Sequence, residues 1–503
     1  MKIIINTDVL IQNGNNPEPN DNFVIEEEDR CFGLSGIVLN NISETNDIPQ
    51  YIIDGSIQKR YKGSYVAWLY DKKDEKIYVS NDLLSKQSVY FYDTDGVILI
   101  NTSLFDLCAD LRANGRIPQM DLKAIQYFCR ENVFCGDMTY ESDTRFLTAY
   151  SYLLIDCKKK NVEIKKLSIP PMKNINEITD SEAVEELEKR FTAACELQWY
   201  KNEQYGKKQI FTVSGGMDSR AVLLHMVKLH KATSATTYTY AQSGSADEII
   251  AKRITSKLGI DNHFIPLDNC EFVYQRDEII DANEGQMYYA GSTGAILMAK
   301  MTQREENGIV HTGLGGGEIM GDICASGGDA IQDQDSTLTA NQRTNLDDIR
   351  RCLNFQKTTS GYFYAFSPFL DEDFFEYAMC LPTSMRSYRK LYIKWYKQYM
   401  NSDYPSAMSH SLALKAVNKV RRKMYTLLGK RNPADMNPFQ YWFDSQPKLR
   451  DYIEETFRCD CEELTGHSEL LEILSKFFDE TVIRKLAVLT VTGSVKRMLG
   501  IKE

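Results

Sequence analysis

At 503 residues the chain exceeds what one ordinary hydrophobic core supports, so two domains are expected. A net charge of −11 argues against a general nucleic-acid or membrane-surface binder, because such proteins need a basic field. No window holds the roughly 18 apolar residues that span a bilayer. The twelve cysteines lack zinc-site spacing, and no secretory signal is visible, so reduced thiols in a cytoplasmic protein are predicted.

Residues 1–170 are predicted to form a strand-rich α+β domain. Short runs of β-branched and aromatic residues alternate with turn signals, which favours hairpins. One helix is predicted over Leu122–Asn132. Residues 1–30 begin with a strand-like run, and further examples of predicted strands are Ser64–Tyr70, Lys76–Ser80, Ser88–Tyr92, Gly96–Asn101 and Tyr150–Asp156.

A second domain is predicted over residues 180–503, after a proline-containing and polar linker. It opens with a long helix, Ser181–Lys201, capped by Ser181 or Asp180. Strand–helix alternation then predicts a parallel sheet with helices on both faces. The chain beyond Asp322 is predicted to be mostly helical, with a mobile loop over Ser326–Asn341. The predicted strands are Gln209–Val213, Ala235–Tyr240, His263–Pro266 and Gly308–Thr312, and the helices between them are Ser219–Leu229 and Ala246–Leu258.

One loop of this second domain has the composition of a phosphate-binding site. Between a predicted strand and a predicted helix the chain reads Ser214-Gly215-Gly216-Met217-Asp218-Ser219. Adjacent glycines allow a tight turn that exposes successive N–H groups, and the helix N-terminus adds its positive dipole end. Asp218 suits such a loop if it binds Mg²⁺ that neutralises pyrophosphate. The GxxxxGK[ST] pattern is absent, so ordinary γ-phosphoryl transfer is a poor fit.

The loop resembles the signature of the N-type ATP pyrophosphatases, and within them the chain is similar to asparagine synthetases. Three further stretches are similar to segments of that family, namely Tyr238–Pro266, Thr312–Gly321 and Ser367–Pro382. The resemblance implies an α/β fold. The second implied domain has a parallel sheet and is adenine nucleotide alpha hydrolase-like. The first implied domain is Ntn-hydrolase-like and corresponds to a degenerate class II glutamine amidotransferase.

The resemblance also implies site residues and ligands. ATP and Mg²⁺ are the implied cofactors, and the substrates are a small-molecule or peptide carboxylate and an amine. Asp218 and Glu318 are the implied metal ligands. Lys415 or Lys390 is the candidate near the α phosphate, and Glu318 or Glu284 the candidate general base. No nucleic-acid or membrane partner is implied, and a homodimer stays open. The implied nucleotide-binding residues are Ser214, Gly215, Gly216, Asp218, Ser219, Gly313 and Gly315.

Three positions depart from the family pattern. Glutamine-using members carry a cysteine that becomes the chain's N-terminus, whereas position 2 here is Lys, so we expect the glutaminase reaction to be lost. Cleavage before Cys31 would create such a terminus, but a buried structural role is predicted for that cysteine. Gly317 stands where the family has a metal-binding Asp, and Leu314 where asparagine-forming members carry Glu.

Several functions fit this pattern. The leading one is an ATP-dependent amide-forming ligase that uses free ammonia, closes a ring within one molecule as β-lactam synthetases do, or joins a peptide's amine and carboxylate as lasso peptide cyclases do. The missing terminal Cys favours an amine other than glutamine-derived ammonia. Sulfur transfer to tRNA fits poorly, because the chain is acidic and lacks cysteine pairs of the required kind. A non-catalytic nucleotide-binding protein is the remaining alternative.

Overall fold

A computed structural model describes twelve stretches of the chain. The predicted loop over Ser326–Asn341 lies almost entirely outside them, as do Lys415 and residues 172–176 of the predicted linker. The chain divides into two compact units, Met1–Pro171 with Ile349–Leu353 and Ser494–Glu503, and Met172–Asp348 with Asn354–Gly493. The described stretches are 1–5, 9–12, 21–42, 45–171, 177–230, 235–291, 294–302, 307–322, 340–400, 424–425, 431–432 and 435–501.

The first unit contains two antiparallel sheets. Their strands are β1 Lys2–Ile5, β2 Val9–Gln12, β3 Phe23–Glu26, β4 Arg30–Val38, β5 Gly63–Asp71, β6 Lys76–Asn81, β7 Tyr90–Thr94, β8 Val97–Asn101, β9 Thr144–Phe146, β10 Ser151–Asp156 and β11 Asn161–Lys166. One sheet has five strands in the order β2-β1-β8-β7-β9. The other has six strands in the order β11-β10-β6-β5-β4-β3. Along β10, buried and half-buried side chains alternate, as expected for a strand with one face in the core.

The sheets pack face to face around a buried cluster that includes Ile3, Trp68 and Ile100. On the outer face of the six-stranded sheet, helices α1 (Ile48–Ile53) and α2 (Ile57–Arg60) cover a second apolar cluster. Helix α3 (Leu104–Ala113) packs against β8, and α4 (Leu122–Glu131) follows it in the chain. The strand-rich character predicted for this part of the chain is confirmed.

Several elements of this unit were not predicted. Strands β2 to β4 precede the first strand named in the prediction, and helices α1 to α3 lie where no helix was predicted. Helix α3 begins at a Ser103 cap whose hydroxyl accepts from the N–H of Asp106. A ten-residue stretch of mixed apolar and charged residues shows no clear helical period in the sequence. Packing against the sheet therefore stabilises this stretch as a helix. Cys31 lies in β4 and is half-buried rather than buried.

The second unit contains an entirely parallel sheet with the order β14-β13-β12-β15-β16. From β12 the chain proceeds to β13 and β14 on one side, then returns to β15 and β16 on the other. The crevice between β12 and β15 is therefore the topological switch point, where open parallel sheets bind ligands at the carboxyl ends of their strands. The strands are β12 Lys208–Thr212, β13 Thr236–Ala241, β14 Asp261–Pro266, β15 Asn307–His311 and β16 Tyr364–Phe366.

Helices surround this sheet and form the rest of the unit, which confirms the predicted parallel α/β class. They are α5 Asp180–Gln204, α6 Met217–His230, α7 Ala246–Leu258, α8 Arg276–Asn283, α9 Ala295–Met301, α10 Ala340–Tyr362, α11 Glu372–Cys380, α12 Thr383–Arg386, α13 Lys390–Tyr399, α14 Phe439–Ser445, α15 Pro447–Glu463, α16 Ser468–Phe478 and α17 Val482–Leu499. None of the helices in the described ranges is long and apolar enough to cross a bilayer.

The cap of the long helix α5 differs from the predicted one. Thr179 is the capping residue, because its hydroxyl accepts from the N–H of Glu182 while the Glu182 carboxylate accepts from the N–H of Thr179 at 2.8 Å. This reciprocal pair satisfies two backbone donors that the helix itself leaves open. Asp180 and Ser181 lie inside the first turn instead.

Candidate functional site

The two glycine-rich loops meet at the switch point of the parallel sheet. The Ser214–Ser219 loop follows β12 and leads into α6, and the Thr312–Gly317 loop follows β15. A cavity of about 280 Å³ opens beside them. Of the predicted site residues, those that line it are Ser214, Gly216, Asp218, Ser219, Gly313, Gly315 and Glu318.

The serines at the two ends of the first loop fix its shape. The hydroxyl oxygens of Ser214 and Ser219 lie 3.0 Å apart, and the N–H of Ser214 donates to the Ser219 oxygen at 3.0 Å. The N–H of Gly216 donates to the Ser214 hydroxyl oxygen at 3.2 Å. The loop is therefore closed on itself at the beginning of α6, where backbone N–H groups and the helix dipole favour an anion.

Gly215 does not line the cavity, because its N–H donates to a carboxylate behind the loop. The acceptor is Asp247 in the first turn of α7, at 2.8 Å. Burial raises the pKa of Asp247, and the hydrogen bond from Gly215 opposes that shift. Asp247 thus anchors the loop to a neighbouring helix. The sequence reasoning placed it within a family segment without assigning it to the site. The Ser245 cap immediately before it was the available signal.

Asp218 joins the first loop to the second loop and to α13. One of its oxygens accepts from the N–H of Gly317 at 3.1 Å, and the other accepts from the hydroxyl of Tyr392 at 2.6 Å. Tyr392 is fully buried, and burial together with the nearby Asp218 charge raises its pKa well above the ordinary tyrosine value. The hydroxyl therefore stays protonated and continues to donate. No local sequence pattern identified Tyr392.

Close backbone contact explains the glycines of the second loop. A Cβ atom at Gly313 would lie 2.3 Å from the backbone nitrogen of Ser219, so only glycine allows the loops to touch there. Gly315 has a left-handed φ of 84°. The hydroxyl of Ser367, at the start of the predicted Ser367–Pro382 segment, donates to the Leu314 carbonyl at 2.6 Å. That segment thus supports the second loop from behind.

Part of the lining of the cavity is apolar or aromatic. Val213, Tyr240, Phe355 and Met436 form this part, and burial raises the pKa of Tyr240 to about 12. Such a wall beside anion-binding loops suits a ligand with one flat, weakly polar end and one charged end. A larger cavity of about 560 Å³ lies on the other side of the segment around Asn437 and contains none of the predicted site residues.

The predicted catalytic residues occupy different environments. Glu318 is exposed at the rim of the cavity. Lys390 is exposed at the first residue of α13 and is not among the cavity-lining residues. Lys415 lies outside the described residues. The roles of all three stay predictions, and only Glu318 borders the cavity among those described.

Glu284, the alternative general base, is buried and ion-paired. It caps the end of α8 with a left-handed φ of 52°, and Lys357 of α10 contacts its carboxylate at 2.7 Å. The lysine belongs to the helix segment that also supplies Phe355 and Thr359 to the cavity wall. The pair therefore holds that wall in place, and Glu284 itself does not line the cavity.

Breaking this ion pair is expected to destabilise the protein. Lys357→Met leaves a buried carboxylate without its cation and should lower the free energy of unfolding by about 3 kcal/mol, measured by urea denaturation. The exposed pair of Lys476 and Glu472, at 2.8 Å, provides the control, because Lys476→Met should cost less than about 1 kcal/mol. Equal losses for the two variants would contradict the structural role of the buried pair.

The described residues do not form a complete metal site. Both oxygens of Asp218 accept hydrogen bonds from protein groups, and Gly317 offers no side chain. Across the described ranges, no three His, Cys, Asp or Glu side chains converge as metal ligands would. Mg²⁺ often binds through one or two carboxylates with substrate phosphates and water. Asp218 fits that limited role, whereas position 317 does not fit a ligand at all.

The sheet, its switch point and the paired glycine-rich loops define an α/β protein with an anion-binding crevice. Residues 187–341 match the family model of asparagine synthase, which covers less than a third of the chain and includes both loops. The match over residues 187–341 confirms the predicted resemblance to the asparagine synthetase family in this part of the chain. It supports the general class of ATP-using ligases that form carbon–nitrogen bonds.

Proposed function

We propose that the protein adenylates a carboxylate with ATP, releases pyrophosphate and transfers the acyl group to an amine. One observation carries this proposal. Two glycine-rich loops, one at the beginning of α6, meet beside a cavity whose lining is partly apolar. In the proposed complex the apolar part of the lining receives the adenine, and the loops bind the β and γ phosphates of magnesium-bound ATP.

The chemistry proceeds in two displacements. An oxygen of the substrate carboxylate attacks the α phosphorus, the bond between the α and β phosphates breaks, and pyrophosphate leaves. The amine nitrogen then attacks the acyl carbon, AMP leaves, and a base accepts the amine proton. The positive end of the α6 dipole stabilises negative charge on the departing pyrophosphate. Glu318, at the rim, is the proposed base.

We also propose that glutamine is not the source of the amine. Cys31 lies inside β4, which pairs with β3 on one side and with β5 on the other. The nitrogen of a cysteine within a strand belongs to a peptide bond, so it cannot act as a base. N-terminal glutaminases require a free α-amine on their cysteine for that purpose. Burial raises the pKa of the Cys31 thiol, which further disfavours the nucleophilic thiolate.

The second candidate is a cyclase, in which the amine belongs to the same small molecule or peptide as the carboxylate. Leu314 favours this alternative. It lines the cavity at the position where asparagine-forming members carry Glu, so the cavity lacks that acidic group for an amino acid substrate. An intramolecular amine also needs no separate ammonia supply.

The test is ATP–pyrophosphate exchange, screened over small-molecule and peptide carboxylates. We expect exchange with at least one acid in the absence of any amine, because adenylation precedes amine attack. Glutamine should support no product, whereas ammonia or a substrate-borne amine should. Absence of exchange with every acid, together with absence of ATP binding, would refute the ligase proposal. Glutamate release from glutamine would refute the proposal about the amine.

A further inference from the structure

The side chain of Arg389 fills the space beside Gly317. A Cβ atom built at Gly317 would lie 2.1 Å from one terminal nitrogen of Arg389 and 2.7 Å from its Cζ. The backbone at Gly317 is not in the left-handed region, so its conformation does not require glycine. The guanidinium therefore fills the space that a side chain at position 317 would otherwise take.

The backbone around Arg389 is shaped to bring this side chain to the loop. Arg389 has a left-handed φ of 57°, which is costly for a residue with a Cβ, and it directly precedes α13. Gly321 has a φ of 140°, and a Cβ there would lie 2.0 Å from the carbonyl oxygen of Arg386. Two glycines of the same short stretch thus accommodate the segment that ends at Arg389.

The guanidinium lies next to the loop contacts made by Asp218. Gly317, against which it packs, donates its N–H to one Asp218 oxygen, and Tyr392 donates to the other. The positive charge of Arg389 also acts on Tyr392, where it opposes the rise in pKa that burial causes. A cation therefore packs against the second loop at Gly317, next to the beginning of α13.

We propose that Arg389 supplies a fixed positive charge for the terminal phosphates of the nucleotide, in place of a metal ion held by a carboxylate at position 317. This inference rests on the proposed function, since it assumes that the crevice binds pyrophosphate. A guanidinium presents paired N–H donors that match phosphate oxygens, and it carries its charge without any metal ligand. The ligand class is thus an oxyanion of the pyrophosphate type.

The experiment measures inorganic pyrophosphate binding to the full chain by calorimetry, once with Mg²⁺ and once with EDTA. We expect the unmodified protein to bind in both buffers. Arg389→Ala should weaken binding about 10- to 100-fold, with the larger loss in EDTA. Lys397→Ala is the matched control, because it removes an exposed cation from the same helix, and its affinity should stay unchanged. Thermal unfolding verifies that each variant folds.

A double variant tests the replacement directly. Removing the guanidinium opens space at position 317, so Gly317→Asp/Arg389→Ala should regain affinity in Mg²⁺ but not in EDTA. The inference would be overturned if the double variant regained pyrophosphate affinity in EDTA, or if Arg389→Ala bound pyrophosphate normally in both buffers. Neither result would contradict the proposed ligase function. If the unmodified protein binds neither pyrophosphate nor ATP in either buffer, the proposed function itself fails.

Discussion

Replacing Asp218 with Asn is expected to reduce ATP–pyrophosphate exchange at least about 100-fold. The carboxylate accepts one hydrogen bond from the second loop and one from Tyr392. An amide can accept through one oxygen only, and its NH₂ group must face either the Gly317 N–H or the Tyr392 hydroxyl. A buried hydrogen then lacks an acceptor, which costs about 1–3 kcal/mol and displaces a loop or α13.

Exchange and thermal unfolding should be measured on the same preparation. Tyr392→Phe is the companion variant, because it removes one of the two donors and keeps both the Asp218 charge and the buried ring. We expect its exchange activity to fall less than that of Asp218→Asn. An Asp218→Asn protein with unchanged exchange would exclude any role of this carboxylate in the reaction.

A methyl group at Gly313 is expected to weaken ATP binding about 100-fold. The added Cβ would lie 2.3 Å from the nitrogen of Ser219 and 2.5 Å from the carbonyl carbon of Asp218. Both are backbone atoms, which cannot rotate away as a side chain can, so Gly313→Ala must separate the loops. The crevice between the loops then changes shape, and the phosphates no longer lie at the end of α6 where the helix dipole stabilises them.

Gly466→Ala is the matched control, because a Cβ there would meet no atom within 4 Å. Its ATP affinity, measured by calorimetry, should equal that of the unmodified protein. Gly313→Ala should also unfold at a lower temperature, because the same collision strains the folded state. Normal ATP affinity in Gly313→Ala would mean that the two loops do not form one binding site.

The anion-binding loop is predictable because its geometry is almost entirely local. A strand, two glycines and a helix follow one another without interruption from Lys208 to His230, and the serines bond within the loop. The parallel sheet is predictable for a similar reason, since strand–helix alternation allows few other topologies. The antiparallel first unit was harder to predict. Its strands β2 to β4 and helices α1 to α3 were not predicted, because β4 has no polar alternation and most of the others are short.

The sequence by itself predicted the glycine-rich loop between β12 and α6, the parallel α/β class and the resemblance to the asparagine synthetase family. It also exposed the unusual glycine at position 317, but not what fills its place. Only the tertiary structure brought Asp247 to Gly215 across 32 residues, Gly317 to Asp218 across 99 and Tyr392 to Asp218 across 174. Contacts between distant segments depend on how helices pack around the sheet, and no local spacing encodes that packing. For the same reason, the exchange of a carboxylate for the Arg389 guanidinium becomes visible only in three dimensions.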